Sequence, residues 1–571
     1  MGSIINSNHK KRVCIYIPSC FYIDYKMKIH STLISSFFIF HFSLFALNAL
    51  AQERTVELTD PNESCTSIAV GKKVTTDGSV ITSATCDGVS RTWMEFIPAQ
   101  DWADTAKVEI YYDIRHTDSK LDRLGVVLKG TIPQAQHTNA YLSNGYPCMN
   151  EKQVAMGETT IMGRRELVNP KGMFHIEDVQ ALGLQRASTA REAIKVMGEL
   201  AEKYGYGDIG ECLTVADKNE IWFFEIYGTG KDGDDDGIGA MWVAQRIPDD
   251  HVTVSANSAR ISTVDFDDNE NFMTSTNLRE KAQKLGLWDG KEEFKFWKVM
   301  NGDRHKPYTI RDFFVLSSFA PSLNLTMDMD ELPLSVKPDK NISLADVTKM
   351  LRETYEGTEY DMTADWIVNE KKRHRDGTEV DTTYKSPLAQ NWLTRDMMNL
   401  INSQRPADNK MKNWRTISVV WCAYSFVAQL RDWLPDPVGG VCWWSNDNPG
   451  QSPRVPLFAG QTDVPESFKI SGHKSYVPNS ALWIYRRANR LAQVSWGYGR
   501  TLIEPAVLSY EQKGADEMPM VEQKVTSLIN EGKEDEAKEY LTQYSFDFIN
   551  STLQTWQEIE AKLWHKFGRG F

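Results

Sequence analysis

The sequence predicts an α+β fold of layered helix and sheet, and three observations carry that reading. Short β-branched runs separated by turn residues fill residues 66–261. A helical stretch interrupts them from Ile176 to Gly205, and two amphipathic helices close the chain.

In order, residues 66–74 and 79–85 are two strands. Asp77-Gly78 joins them, and both residues tolerate the positive φ that a tight hairpin demands. Further strands are expected at 91–97 and 108–112. The turn Tyr146-Pro147-Cys148-Met149-Asn150-Glu151 then leads into an apolar strand reaching Glu158. The helical stretch strengthens at Thr189-Ala190-Arg191-Glu192, a capping-box pattern followed by Ala193, Ile194, Met197, Leu200 and Ala201 at helical spacing. Strands at 212–216 and 220–227 flank the turn Asp217-Lys218-Asn219, and strands at 241–248 and 252–261 follow. Between these pairs, Asp232-Gly233-Asp234-Asp235-Asp236-Gly237 lacks the downstream Glu of a calcium loop and reads as a solvated turn. Residues 278–409 are mixed helix and loop, an elaboration on the core. Strand returns at 414–422, a Trp-rich segment runs to Pro456, and residues 521–567 form two helices split at Gly532.

Composition bounds the function. The 571 residues are 41% hydrophobic and 25% charged, enough for one large core with elaborations. A formal net charge of -13, with no basic patch carrying interleaved aromatics, argues against nucleic acid and anionic lipid as partners. Residues 1–26 read as an over-extended start. Residues 27–51 read as a signal peptide, with Lys26-Met27-Lys28 before the apolar run 33–47 and small residues at Ala49 and Ala51. That run contains Ser and His and is short for a membrane span, so the product is expected to be periplasmic or secreted, with no membrane attachment once the signal is removed. Residues 52–64 read as a short polar propeptide. They also separate Cys65 from the apolar core, which argues against lipidation of that cysteine. Six of the eight cysteines follow the signal, none in CxxC spacing.

Cys65 heads the first strand of the hairpin and Asp87 closes the second, so folding brings them close. A cysteine at a strand start is commonly just a small buried residue. Cleavage before Cys65 would give it a further use, because an α-amine with a pKa near ~8 would sit on the same residue as the thiol it deprotonates.

Cys65-Thr66, Gly71-Lys72-Lys73, Asp77-Gly78-Ser79 and Asp87, in that order, resemble the N-terminal-nucleophile hydrolases. The likeness is to the PepD-type cysteine dipeptidases, related to the choloylglycine hydrolases and penicillin V acylases, and covers roughly residues 65–500. It implies an αββα sandwich over residues 65–510, a helical extension over 511–571 packed on it, short peptides as substrates, and neither cofactor nor metal. It also implies the site. Cys65 is the nucleophile, and Asp87 accepts a hydrogen bond from its α-amine. The Asn150 backbone N–H, in Met149-Asn150-Glu151, and the Asn257 side-chain amide, in Ala256-Asn257-Ser258-Ala259-Arg260-Ile261, form the oxyanion hole. Many relatives carry Arg three residues before the Asp. Here Ala84 stands there, and Arg415 and Arg91 are the candidate replacements.

Other hydrolase machinery is absent from the sequence: there is no GxSxG, HExxH or Walker loop, and the histidines after the signal are scattered singly. The resemblance leaves an acyl-amide hydrolase of the choloylglycine type as an alternative. A non-catalytic binding protein, suggested by 17 Trp and the pair Trp443-Trp444, is an alternative of another class. The sequence leaves a homo-oligomer open.

Overall fold

The computed structural model describes residues 64–570 apart from 112–116, 118–126, 232–238 and 303–305. The expected signal peptide, all of the expected propeptide but Ser64, and the acidic loop at 232–237 lie outside the described residues. Strands β1 (Ser64–Val70) and β2 (Val80–Asp87) form the expected hairpin. Its turn is held by Asp77 Oδ1, which accepts from Ser79 N at 3.0 Å, while Gly78 takes φ +84°. The remaining strands that build the two large sheets are β3 (Glu95–Ile97), β4 (Tyr141–Ser143), β5 (Met149–Asn150), β6 (Ala155–Thr160), β7 (Glu211–Ala216), β8 (Ile221–Gly228), β9 (Ala240–Ile247), β10 (Val252–Ser255), β11 (Phe272–Thr274), β12 (Ser335–Val336), β13 (Cys422–Leu430), β14 (Val441–Asn446) and β15 (Val455–Phe458).

The first sheet runs β12-β10-β1-β2-β13-β14-β15 and the second β11-β9-β8-β7-β6-β5-β4-β3. Every registered pairing within them is antiparallel. The two sheets meet across small and hydroxylated side chains. Ser67 Oγ donates to Ser83 O and lies 2.6 Å from Thr214 Oγ1, Thr82 Oγ1 lies 2.7 Å from the same hydroxyl, and Thr159 Oγ1 reaches Ser255 Oγ. A Cβ on Gly157 of β6 would fall 2.5 Å from Ser67 Oγ and 2.7 Å from Thr214 Oγ1, so the close approach of the sheets requires glycine there.

Alternation then assigns the other face. Ile68, Val70, Ile81, Val252 and Val254 point away from the second sheet, into a cluster with Phe313 and Leu316 of α3 (Ile310–Phe319) and Val347 and Leu351 of α4 (Leu344–Leu351). The outer face of the second sheet is covered by α1 (Ile176–Arg186) and α2 (Ala190–Tyr204), where Gly198 leaves room for the Trp242 ring. α2 starts at Thr189, whose side chain accepts from Glu192 N, and stops at Gly205 with φ +86°.

The strands expected at 91–97 and 252–261 are shorter, Glu95–Ile97 and Val252–Ser255, and the sequence reading departs further from this structure in the later half. Residues 414–421 are irregular, and the strand expected at 414–422 begins at Cys422 and runs to Leu430. It lies inside the sheet with both faces buried, so it carries no alternation to mark it. Trp443 and Trp444, which suggested a binding surface, are buried, and Trp444 stacks on Tyr424 at 4.3 Å. The tail is longer than expected. α5 (Ala481–Ala492) leads to α6 (Trp496–Asn530), which runs unbroken through the expected boundary at 510, and α7 (Glu534–Phe567) follows after Gly532. α7 docks on β15 through Ser545 Oγ, which donates to Pro456 O at 2.8 Å, and on α5 through Trp556, which donates to Asn489 Oδ1. Among the described residues no helix is long and apolar enough to cross a membrane.

Candidate active site

Cys65 is the second residue of β1 and 5% exposed. Alternation places it on the same side as Ser67, at the margin of the layer between the sheets. Three groups hold it. Its backbone nitrogen donates to Asn257 Oδ1 at 3.0 Å, its carbonyl accepts from an Arg311 amino group at 2.7 Å, and its thiol is directed at Glu158 Oε2 at 3.8 Å. Directly opposite on β2 stands Cys86. The hydrogen bond with Cys86, then burial, then the negative charge of Glu158, with Cys86 and Asp87 after it, hold the thiol well above its ordinary pKa.

Asn257 follows β10, where the chain turns out of the sheet with φ +64°, in the left-handed region that asparagine tolerates better than most residues. Its Oδ1 accepts from Cys65 N and from Arg311 at 2.7 Å, while its Nδ2 donates to Thr160 O at 2.7 Å. Two donors on one side and a carbonyl on the other fix which way the amide points. The residue expected to offer its amide N–H to an oxyanion thus presents its oxygen to the Cys65 nitrogen. One of its two N–H groups is committed to Thr160.

Arg311 lies in the first turn of α3, whose capping box pairs Thr309 with Asp312. It is 3% exposed, and besides Cys65 O and Asn257 Oδ1 it bonds Thr66 Oγ1 and Ala256 O. Burial first, and Arg415 second, lower its pKa to about 10, so it is charged at neutral pH. No local pattern in residues 278–409 announces it; an arginine beside a Thr-x-x-Asp cap is an ordinary helix start in sequence.

Asp87 is 1% exposed. Its Oδ2 accepts from Thr85 Oγ1 at 3.0 Å and from Arg415 at 2.6 Å, while its Oδ1 meets no hydrogen-bond partner among the described residues. Arg415 also bonds Ser64 Oγ, the last residue before Cys65. Of the two cations suggested for the place of Ala84, Arg415 therefore lies on Asp87. Arg91 is occupied with Ser143, Asn144 and the face of Trp93. Asn150, the other expected oxyanion donor, is bonded within its own turn and to the end of α1. Its backbone N–H donates to Val154 O, its Oδ1 accepts from Lys152 N and Val154 N, and its Nδ2 donates to Leu184 O and Ala187 O. None of its described bonds reaches Cys65, Asp87 or Asn257.

One further grouping is invisible in a sequence whose histidines are scattered. His175, Glu177 and Asp208 each bring a ligand atom within 4.8 Å of the others, at the start of α1 and before β7.

A buried cysteine thus lies between the two sheets, held by a cation and an asparagine amide. Residues 64–507 match the model of Peptidase family C69, and the chain belongs to that family. It is similar to a probable dipeptidase of Latilactobacillus sakei, 26% identical over 446 residues covering 76% of this chain and 82% of that protein. Dipeptidase A of Lactobacillus helveticus is 24% identical over 447 residues, with the same coverage. Probable dipeptidase B of Streptococcus pyogenes serotype M1 is 24% identical over 542 residues, covering 91% of this chain and 96% of that protein.

Proposed function

We propose that the chain is an exported dipeptidase of the N-terminal-nucleophile type, its two sheets and flanking helices forming that αββα sandwich, and that the mature enzyme begins at Cys65. The observation that carries this reading is the Cys65 nitrogen held at 3.0 Å by Asn257 Oδ1, with Asp87 one residue along the facing strand and its Oδ1 without a hydrogen-bond partner among the described residues. A peptide nitrogen has one hydrogen to donate; an α-ammonium has three. Cleavage after Ser64 would thus supply donors for both Asn257 Oδ1 and Asp87 Oδ1, and a buried acceptor left unmade costs about 1–3 kcal/mol.

In this mechanism the neutral α-amine takes the thiol proton as Sγ attacks the peptide carbonyl, which relieves the cost of forming a bare thiolate among Glu158 and Asp87. The amine returns the proton to the leaving amino group, and the thioester is then hydrolysed by water with the amine again as base. Arg311, on the Cys65 carbonyl and Asn257, holds the residue in register. The uncommitted Asn257 N–H is the donor for the developing oxyanion. N-terminal sequencing of the secreted, active protein tests the proposal. A first residue of Cys65 with dipeptide hydrolysis is the expected result, and full activity in a chain still beginning at Gln52 would reject it.

A further inference from the structure

A buried carboxylate beside a nucleophile has a specific consequence for the substrate. Glu158 lies on β6 next to Gly157, where the two sheets come closest, and is 3% exposed. Its Oε2 is 3.8 Å from Cys65 Sγ. In a peptide with a free N-terminus, the α-nitrogen and the first carbonyl carbon are separated by two bonds, about 2.5 Å. An attacked carbonyl carbon stands about 3–3.5 Å from the nucleophile, and an ammonium–carboxylate hydrogen bond spans about 2.7–2.9 Å. A sulfur–oxygen separation of 3.8 Å is within the span of these three lengths. The α-ammonium of the residue being acylated can therefore reach Glu158 Oε2 while its carbonyl lies on the thiol. An acyl group without an amine would set apolar or neutral atoms against this carboxylate instead, at the cost of desolvating it.

We propose that Glu158 is the specificity residue of this enzyme, anchoring the free α-ammonium of the substrate so that cleavage follows the first residue of an unblocked peptide. This rests on the dipeptidase reading above and adds the group that separates it from an acyl-amide hydrolase on the same scaffold. It also couples recognition to chemistry, because Glu158 raises the thiol pKa and an ammonium on it offsets that charge.

The test compares a dipeptide with its des-amino analogue, in which hydrogen replaces the α-amine, on mature wild-type enzyme and on Glu158→Gln. Wild type should prefer the dipeptide in kcat/KM. Glu158→Gln should lower the dipeptide value about 10- to 100-fold more than the des-amino value, the range for a hydrogen bond to a charged group, so that the preference collapses. Equal loss on both substrates would place Glu158 in the thiol machinery and overturn the proposal; an unchanged preference would overturn it as well. If Glu158→Gln does not fold, Glu158→Asp withdraws the carboxylate by one methylene and carries the same comparison. Should wild type cleave the des-amino amide and not the dipeptide, the dipeptidase reading itself fails, a result distinct from either of these.

Discussion

Asn257 can be dissected with three substitutions because its backbone and its side chain make separate demands. Its φ of +64° costs a residue with a Cβ about 1–2 kcal/mol and glycine nothing. Asn257→Gly therefore removes the side chain alone, whereas Asn257→Ala adds strain. Either leaves Cys65 N–H, one Arg311 N–H and Thr160 O without their partner. At about 1–3 kcal/mol for each orphaned group, less where water enters, the expected destabilisation is about 2–5 kcal/mol for Gly and roughly 1 more for Ala. Asn257→Asp keeps the acceptor for the α-amine and loses the amide hydrogens. Its kcat should fall about 10²–10³-fold, the effect of removing one oxyanion donor, with KM little changed. A carboxylate in that place also favours the α-ammonium, so the acidic limb of the rate profile should move to higher pH. The assay is dipeptide hydrolysis against pH by the mature protein, with thermal unfolding of each variant. Wild-type turnover and an unmoved acidic limb in Asn257→Gly would refute both the acceptor and the donor role.

Three further outcomes follow from particular contacts. Burial raises the pKa of Glu225 to about 8, although its Oε1 accepts from Arg260 N and Ile261 N. Between pH ~4.3 and about 8 the native chain then holds a proton that the unfolded chain has released, so stability is fullest at low pH and falls with rising pH by at most about 1.4 kcal/mol per unit; urea midpoints at two pH values should show a slope that Glu225→Gln flattens. Gly157→Ala should cost at least about 1–3 kcal/mol by overpacking the layer between the sheets, read as a lowered unfolding temperature, and an unchanged temperature would contradict the close approach described. Activity should survive EDTA and vanish on alkylation of Cys65; inhibition by EDTA that zinc reverses would move attention to His175, Glu177 and Asp208.

What the sequence made legible was local. The hairpin of β1 and β2 is written in β-branched residues and an Asp77-Gly78 turn, the start of α2 in Thr189 and the break between α6 and α7 in Gly532, each readable within a few residues. The family motifs placed Cys65 and Asp87 together for the same reason, since a hairpin joins them. Arg311 and Glu158 carry no such signature. Their meaning arises from contacts to Cys65 across 246 and 93 residues of chain, which only the packing of α3 and of the second sheet creates. Asn150 and Asn257 show the same limit: a motif names a residue without saying which of its atoms faces Cys65.

Ala84, where the resemblance leads one to expect arginine, sits in that packing. Ala84 points into the layer between the sheets and stands directly across the strand pair from Phe426. Phe426 lies nearly parallel to Trp444, which in turn stacks on Tyr424. An arginine at position 84 would thus enter a buried layer beside stacked aromatic rings, where stripping a guanidinium of water is costly. Charge reaches Cys65 from outside the strands instead. Arg311 comes from a helix N-terminus on the far face of the first sheet and finds backbone and side-chain oxygens waiting, Cys65 O, Ala256 O, Thr66 Oγ1 and Asn257 Oδ1. Because it grips the Cys65 carbonyl rather than the sulfur, it fixes the position of Cys65 more than it would stabilise a thiolate. The thiol is left in the field of Glu158 and Asp87, and in the mechanism proposed above the α-amine of Cys65 takes its proton and the substrate ammonium offsets the charge of Glu158.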